Sequence, residues 1–168
     1  MTDIFSDDRN RQDDRALRSL GPIAVPRPDR VTSVAVVPID VDSGLMLAVV
    51  LTDRGIDIPG GHTQRSDATS EDTARRECLE EAGIELGALW LVDVVESDYY
   101  GSSPRELTYM LIFGAEISRL LPFTPSSEST AREAMEPSRF LDRYTAGDKD
   151  LMESWVRAAF TRVRARTN

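Results

Sequence analysis

Three glutamates within five residues are the part of this sequence best suited to chemistry. Glu77, Glu80 and Glu81 stand at spacings of three and four. On a helix, with about 100° of rotation per residue, these spacings place the three carboxylates on one face, where they repel one another. Carboxylate oxygens are the ligands that hard divalent cations such as Mg²⁺ prefer. A solvated acidic face is the alternative interpretation, and the spacing alone does not decide between the two.

The flanking residues predict the helix that carries these glutamates. Thr69 offers a hydroxyl N-cap, and Glu71 and Asp72 place acids in the first turn. The helix should run to about Ala82 and end at Gly83, which suits a left-handed C-terminal position. Small or apolar residues are expected to form the opposite, sheet-facing side: Ala74, Cys78, Leu79 and Ala82. The acidic face should then point into a cleft or into solvent.

Residues 59–84 resemble the Nudix box, which is written G-x5-E-x7-R-E-U-x-E-E-x-G-U with U an aliphatic residue. The second half, RECLEEAGI, fits this pattern, with Cys78 at an aliphatic position. The first half departs from it. Counted from Gly61, the box glutamate falls on Asp67, and eight residues instead of seven separate Asp67 from Arg76. One residue is therefore inserted in the loop.

The resemblance implies a fold, an activity and a set of site residues. The fold would be an α/β/α sandwich with a mixed central sheet. The activity would be hydrolysis of a phosphoanhydride bond in a nucleoside diphosphate linked to another moiety, by metal-assisted attack of water. The implied ligands of Mg²⁺ or Mn²⁺ are Glu77, Glu80, Glu81 and the carbonyl group of Gly60. Glu80 and Glu81 are also implied to be catalytic.

Arg76 is expected to act with the acidic residues around it. In the Nudix family the box glutamate pairs with this arginine and braces the loop against the helix. Whether Asp67 reaches Arg76 across the longer loop is left open, as is an ordinary salt bridge from Arg76 to Glu80 or Asp72. His62, the single histidine, is expected to be a polar loop residue and not the catalytic base.

Two further predictions concern the base and the substrate. Glu128 is the best-placed later candidate for the general base. Three other glutamates stay open for this role: Glu96, Glu106 and Glu116. For all four, an exposed structural acid is the alternative. Tyr99 and Tyr100 follow the box at the place where some family members that hydrolyse diadenosine polyphosphates carry a tyrosine, and an aromatic side chain there would stack on a base.

The altered loop around Asp67 also motivates a second function, a Nudix-fold nucleotide-binding or regulatory module with little turnover. Degenerate binding modules commonly lose part of the carboxylate trio. All three glutamates are present here, which favours the enzyme.

Composition restricts the partners. The net charge of −9 repels polyanions, so we expect a nucleotide-type small molecule and not duplex nucleic acid as the partner. The arginines at the C-terminal end, Arg162, Arg164 and Arg166, are explained by the dipole of a helix. We expect a cytoplasmic protein that does not enter a membrane. The chain has one cysteine, its start lacks the features of a signal peptide, and its longest apolar run is Leu45 to Leu51.

The order of predicted elements places the fold in the α/β class. A hairpin is expected over residues 31–51 and further strands over 88–96 and 107–116, whereas 59–61 should open an irregular polar loop. Beyond Pro122 the chain should be turn-rich until Pro137 begins a short helix. An apolar stripe predicts the last helix: Leu151, Met152, Trp155, Val156, Ala159, Phe160 and Val163.

The 168 residues suit a single folded domain. Residues 1–30 are rich in Asp, Arg and Pro and are predicted to form an arm, and residues 31–168 the Nudix hydrolase domain. The arm is either loosely attached or an ordered helix or strand that packs on the core or on a second subunit of a homodimer. Four apolar residues could attach it: Ile4, Phe5, Leu17 and Leu20.

Overall fold

The computed structural model describes residues 17–97 and 107–166. Over these ranges the strands of one sheet are β1 (Arg18–Ser19), β2 (Val31–Asp40), β3 (Leu45–Leu51), β4 (Gly55–Asp57), β5 (Gly60–His62), β6 (Ile84–Ser97), β7 (Thr108–Leu120) and β8 (Ser129–Met135). The helices are α1 (Ser70–Ala82), α2 (Pro137–Arg143) and α3 (Lys149–Arg166), and a short 3₁₀ turn spans Pro28–Arg30.

The sheet is mixed. Its main strand order is β1-β6-β7-β2-β3-β4, while β5 pairs with β2 and β8 pairs with β3. Strands β2 and β7 run parallel, and the other pairs are antiparallel. The predicted hairpin of β2 and β3 and the predicted α/β class are confirmed.

Helices cover both faces of this sheet, as expected for an α/β/α sandwich. Successive residues of a strand point to opposite faces, so Val36 packs in the core layer under α1 and Val37 in the layer under α2 and α3. Both side chains are fully buried. The apolar stripe predicted for the last helix is also confirmed, because Trp155, Val156 and Ala159 lie in the second layer.

Helix α1 begins and ends where local signals predict. The hydroxyl group of Thr69 accepts a hydrogen bond from the Asp72 amide, and the Asp72 carboxylate accepts one from the Thr69 amide, which forms a capping box. At the other end Gly83 adopts φ 64°, a left-handed conformation, and its amide donates to the carbonyl groups of Cys78 and Leu79.

The buried stripe of α1 lies elsewhere than predicted. Cys78 and Ala82 are fully buried, but Leu79 is 44% exposed. The stripe is centred near Cys78, and Leu79 lies about 100° further round the helix. Glu81 lies only about 60° from Cys78 on the other side. Glu77 and Glu81 therefore border the buried stripe, whereas Glu80 lies about 160° from Cys78, on the opposite side, where its side chain is 60% exposed.

Two strands lie where irregular structure is predicted. Residues 60–62 form β5, in which Ala35 pairs with Gly60 and Val34 with Gly61. Residues 129–135 form β8, which pairs with β3 from Met46 to Leu51. Neither segment has a strand-like pattern of side chains, so the partner strand determines its conformation. The strands predicted over 88–96 and 107–116 are also longer, because β6 extends beyond both of its predicted ends and pairs with β7 as far as Leu120.

The described part of the predicted arm, residues 17–30, lies against the sheet. β1 pairs with β6, with Arg18 opposite Glu96 and Ser19 opposite Val95. The buried carboxylate of Asp93 accepts hydrogen bonds from the Ser19 hydroxyl at 2.7 Å, the Gly21 amide at 2.8 Å and the Trp155 indole at 2.7 Å. Asp93 thus joins the segment to α3. Ile4 and Phe5 lie outside the described residues.

In the part of the chain that the structure describes, no helix has the length and apolar character needed to cross a bilayer.

Candidate active site

Glu81 lines a cleft that is formed by α1, β5, the turn after β3 and residues 126–128. Its carboxylate accepts a hydrogen bond of 2.9 Å from the Gly60 amide. Burial, aided by the nearby carboxylates of Glu77 and Asp57 and opposed by the Gly60 amide, raises the pKa of Glu81 to about 7. The fold therefore brings the carboxylates of Glu81, Glu77 and Asp57 close enough to interact.

Glu77 occupies space that a side chain on residue 61 would fill. Its carboxylate is 16% exposed and forms an ion pair of 2.8 Å with Arg76. A Cβ atom added to Gly61 would lie 2.3 Å from the Cδ atom of Glu77, which is closer than two nonbonded atoms can approach. The absence of a side chain at Gly61 therefore permits the position of Glu77.

Arg76 connects the loop after β5 to the acidic face of α1. Its Nε and Nη2 atoms donate to the two carboxylate oxygens of Asp67 at 3.0 and 2.9 Å. Its other contacts are the His62 carbonyl at 2.9 Å, Glu77 at 2.8 Å and Glu80 at 3.2 Å. The two roles considered for Arg76 thus coexist, because it makes both the brace to Asp67 and an i,i+4 ion pair to Glu80.

Asp67 keeps its position despite the inserted residue. Besides Arg76, its carboxylate accepts hydrogen bonds from the Gln64 amide and the Thr73 hydroxyl, each at 2.9 Å. The hydrogen bond from Arg76, followed by those from Gln64 and Thr73, holds the pKa of Asp67 well below its usual range. The longer loop is therefore braced in the way that the family pattern implies.

The three glutamates face one cleft of about 580 Å³, which Glu128 also lines. The Thr52 hydroxyl donates to the Ser127 carbonyl at 2.8 Å, and the Thr52 amide donates to the Glu128 carbonyl at 2.9 Å. These bonds hold the segment that carries Glu128 against the turn after β3. The side chains of Glu128 and Glu80 are exposed in the cleft.

The other sequence candidates lie away from this cleft or outside the described residues. The Glu96 carboxylate accepts a hydrogen bond of 3.2 Å from the Tyr109 hydroxyl, and neither Glu96 nor Glu116 lines the cleft. His62 is exposed on β5, where its carbonyl group is held by Arg76. Three predicted residues fall outside the described ranges: Tyr99, Tyr100 and Glu106.

A family model for the NUDIX domain matches residues 29–155, which is most of the chain. The chain belongs to the Nudix family. A search of curated proteins finds no match.

Solved Nudix structures share the fold of this domain. A mutant of the Bacillus subtilis pyrophosphohydrolase BsRppH is 19% identical, with a TM-score of 0.68 over 90% of this chain and 92% of its own. An ADP-ribose pyrophosphatase from Streptococcus suis is 20% identical, with a TM-score of 0.53 over 79% and 90%. The NUDIX domain of Shewanella oneidensis NrtR, solved with ADP ribose, is 16% identical, with a TM-score of 0.60 over 83% and 89%.

The sequence did not point to several residues that the Nudix fold brings to the cleft. Arg54, in the turn between β3 and β4, is 57% exposed and is the one cation among the described residues that line the cleft. Thr52, Ser126 and Ser127 line it as well. A single arginine in a polar turn belongs to no motif that the sequence could reveal. Arg54 comes near Glu81 only because β4 and β8 pair with β3 in the folded sheet.

The donor groups of this Nudix site fit a hard divalent cation. Within residues 17–97 and 107–166, no three His, Cys, Asp or Glu side chains converge as a complete metal cluster. Glu77, Glu80 and Glu81 instead present carboxylate oxygens along one wall of an open cleft. Mg²⁺ is commonly held by one or two carboxylates together with substrate phosphates. The site suits a cation that arrives with, or is completed by, a phosphate-bearing ligand.

Proposed function

We propose that this Nudix protein hydrolyses a phosphoanhydride bond in a nucleoside diphosphate linked to another moiety. The observation that supports this most strongly is the convergence of Glu77, Glu80 and Glu81 on one cleft, next to a loop braced by the ion pair of Asp67 and Arg76. A solvated acidic face needs neither the cleft nor the brace.

The carboxylates of Glu77, Glu80 and Glu81, with the Gly60 carbonyl group, would hold Mg²⁺ or Mn²⁺. When bound, such a cation supplies positive charge to phosphate oxygens and lowers the pKa of water. Burial and the repulsion from Glu77 and Asp57 raise the pKa of Glu81, and a bound cation would stabilise the charged form against both effects.

The remaining residues would bind and orient the substrate. Arg54 lies across the cleft from α1, so its guanidinium group would pair with a phosphate oxygen. Arg76 holds Glu77 and Glu80 in place while it anchors the loop through Asp67. Glu128, exposed in the same cleft, would accept the proton of the attacking water. Arg76 and Glu128 are thus a positioning residue and a general base, respectively.

A nucleotide-binding or regulatory module with little turnover is the second candidate. It is favoured by the neighbour solved with ADP ribose. The altered loop that first suggested it is braced in full, so that argument no longer supports loss of turnover.

A turnover screen distinguishes the two candidates. The purified protein is incubated with ADP-ribose, nucleotide sugars, dinucleoside polyphosphates and nucleoside triphosphates, and the products are separated by chromatography. We expect hydrolysis with Mg²⁺ or Mn²⁺ and none in chelator, because the proposed ligands are all oxygens. Full turnover in chelator would refute the mechanism. Tight binding without turnover of any of these compounds would support the binding module.

A further inference from the structure

A second cavity of about 300 Å³ adjoins the cleft. It shares Leu51, Arg54, Gly60, Gly61 and Glu81 with the cleft. The cavity lies between the sheet and the connection from α2 to α3. A molecule whose phosphates occupy the cleft therefore has an adjacent space for the group attached to them.

The walls of this cavity suit a flat ring system. Apolar side chains from the sheet and α3 form most of them, among them Val34, Ile58, Met110 and Met152. Two aromatic side chains, Tyr144 and Trp155, complete the lining on the helical side. Mostly apolar walls with a few polar groups are the usual character of a small-molecule site, and this volume is at the lower end of the usual range. It fits a single base better than a larger group.

The position of two of these walls depends on one buried carboxylate. Asp93 accepts hydrogen bonds from the Trp155 indole at 2.7 Å and from the Ser19 hydroxyl at 2.7 Å. Trp155 lines the cavity directly, and Leu17, two residues before Ser19, lines it from the N-terminal segment. The cavity is therefore held open by the fold and does not have to form when a ligand binds.

Asp57 places an acceptor among mainly apolar walls, which also include two charged residues shared with the cleft, Arg54 and Glu81. Its Oδ1 atom accepts a hydrogen bond of 2.8 Å from the Ile58 amide. Among the described residues, no donor bonds to its Oδ2 atom, and Arg54 forms its ion pair with Asp53, at 3.8 Å. Burial raises the pKa of Asp57, but an ionised aspartate still offers only acceptors. A ligand in this cavity gains most from an N–H group directed at Asp57.

We propose that the second cavity binds the base of the substrate and that Asp57 selects bases with an exocyclic amino group. This inference rests on the proposed function for the link to a nucleotide. An amino group donates a hydrogen bond to the free Asp57 oxygen, whereas a base without it leaves that oxygen desolvated and unpaired. Tyr144 and Trp155 supply the apolar contact that any base makes, so the choice among bases comes from Asp57.

Binding of uncharged nucleosides in chelator tests this without any turnover. The pairs are guanosine with inosine and adenosine with purine riboside, which differ only in the amino group. The chain contains two tryptophans, so a Trp90→Phe background leaves the Trp155 indole as the one tryptophan signal in a ¹H–¹⁵N spectrum. Titration of that signal measures binding in the cavity itself.

We expect the amino-bearing nucleoside of at least one pair to bind about tenfold more tightly or better, the effect of one hydrogen bond to a charged group. Asp57→Asn should reduce this preference to less than about twofold. Asp53→Asn removes the same charge from the neighbouring turn, outside the cavity, and should leave the preference intact.

Three outcomes would overturn the inference: no shift of the Trp155 signal with any nucleoside, equal affinities within both pairs, or an unchanged preference in folded Asp57→Asn. None of them depends on hydrolysis. A protein that discriminates between the nucleosides but hydrolyses nothing would refute the proposed function and support the cavity.

Discussion

Substitution of Glu81 by glutamine should change stability and activity in opposite directions. Burial and the neighbouring carboxylates raise the pKa of Glu81 from 4.5 to about 7 in the metal-free protein. The folded state therefore holds the proton more tightly than the unfolded chain. Its contribution to stability is fully present below about pH 4.5 and is lost as the pH rises through about 7.

The size of this loss follows from the two pKa values. Their difference corresponds to about 3 kcal/mol, and solvent screening of this partly exposed group reduces it to about 2 kcal/mol. Glutamine resembles the protonated carboxyl group and can still accept the hydrogen bond from Gly60. At pH 8.5, Glu81→Gln should therefore melt roughly 4–8 °C above the wild type in chelator. Near pH 5 the two proteins should differ little.

Thermal melts at both pH values, paired with turnover at saturating Mg²⁺, measure the two effects. Turnover of a confirmed substrate should fall at least about a hundredfold, equivalent to roughly 3 kcal/mol of transition-state stabilisation. Glu80→Gln is the matched control for stability. Because the Glu80 side chain is 60% exposed, this variant should melt close to the wild type at both pH values. An equal shift of Glu81→Gln at both pH values would refute the electrostatic reasoning. Near-wild-type turnover would refute the assigned role of Glu81.

Three further substitutions test other parts of the site and fold. Gly61→Ala should lower kcat at least about tenfold, because its Cβ atom would displace the Glu77 carboxylate. The control Gly87→Ala should retain activity, since its Cβ atom meets nothing nearer than 3.5 Å. Equal kcat values for the two variants would contradict this. Asp67→Ala should lower turnover and speed proteolysis of the loop, and unchanged rates would show that the brace to Arg76 does not matter. Asp93→Asn should lower the melting temperature by about 6–12 °C in calorimetry, because it would lose roughly 3 kcal/mol of charge-assisted hydrogen bonds. An unchanged melting temperature would exclude a role for Asp93 in attaching residues 17–21.

Local signals were sufficient to predict the helix that carries the proposed ligands. Thr69 and Asp72 form the capping box and Gly83 the left-handed end, and all the groups involved lie close together in sequence. The spacing of Glu77 and Glu81 then determines that their carboxylates share a face. The same holds for the β2–β3 hairpin and the apolar stripe of α3, whose patterns are complete within each segment. Family membership follows from the same stretch of sequence, through the Nudix box.

Contacts between distant segments decided the rest. Strand β5 consists of Gly60, Gly61 and His62, and its conformation depends on pairing with β2, about 27 residues away. The orientation of α1 on the sheet buries Cys78 and exposes Leu79, although both are apolar. No periodicity within the helix distinguishes them.

The electrostatics of the site also depend on tertiary structure. In sequence, Glu77, Glu80 and Glu81 are equivalent carboxylates. In the fold, Glu81 accepts a hydrogen bond from the Gly60 amide, and its burial raises its pKa to about 7. Arg54 and Asp57 gave no signal in the sequence, because a pocket is formed by side chains from several elements. Local sequence therefore determined the helix and its acidic face. The packing of the sheet determined that Glu81 is the carboxylate with the raised pKa, and that Arg54 and Asp57 lie near it.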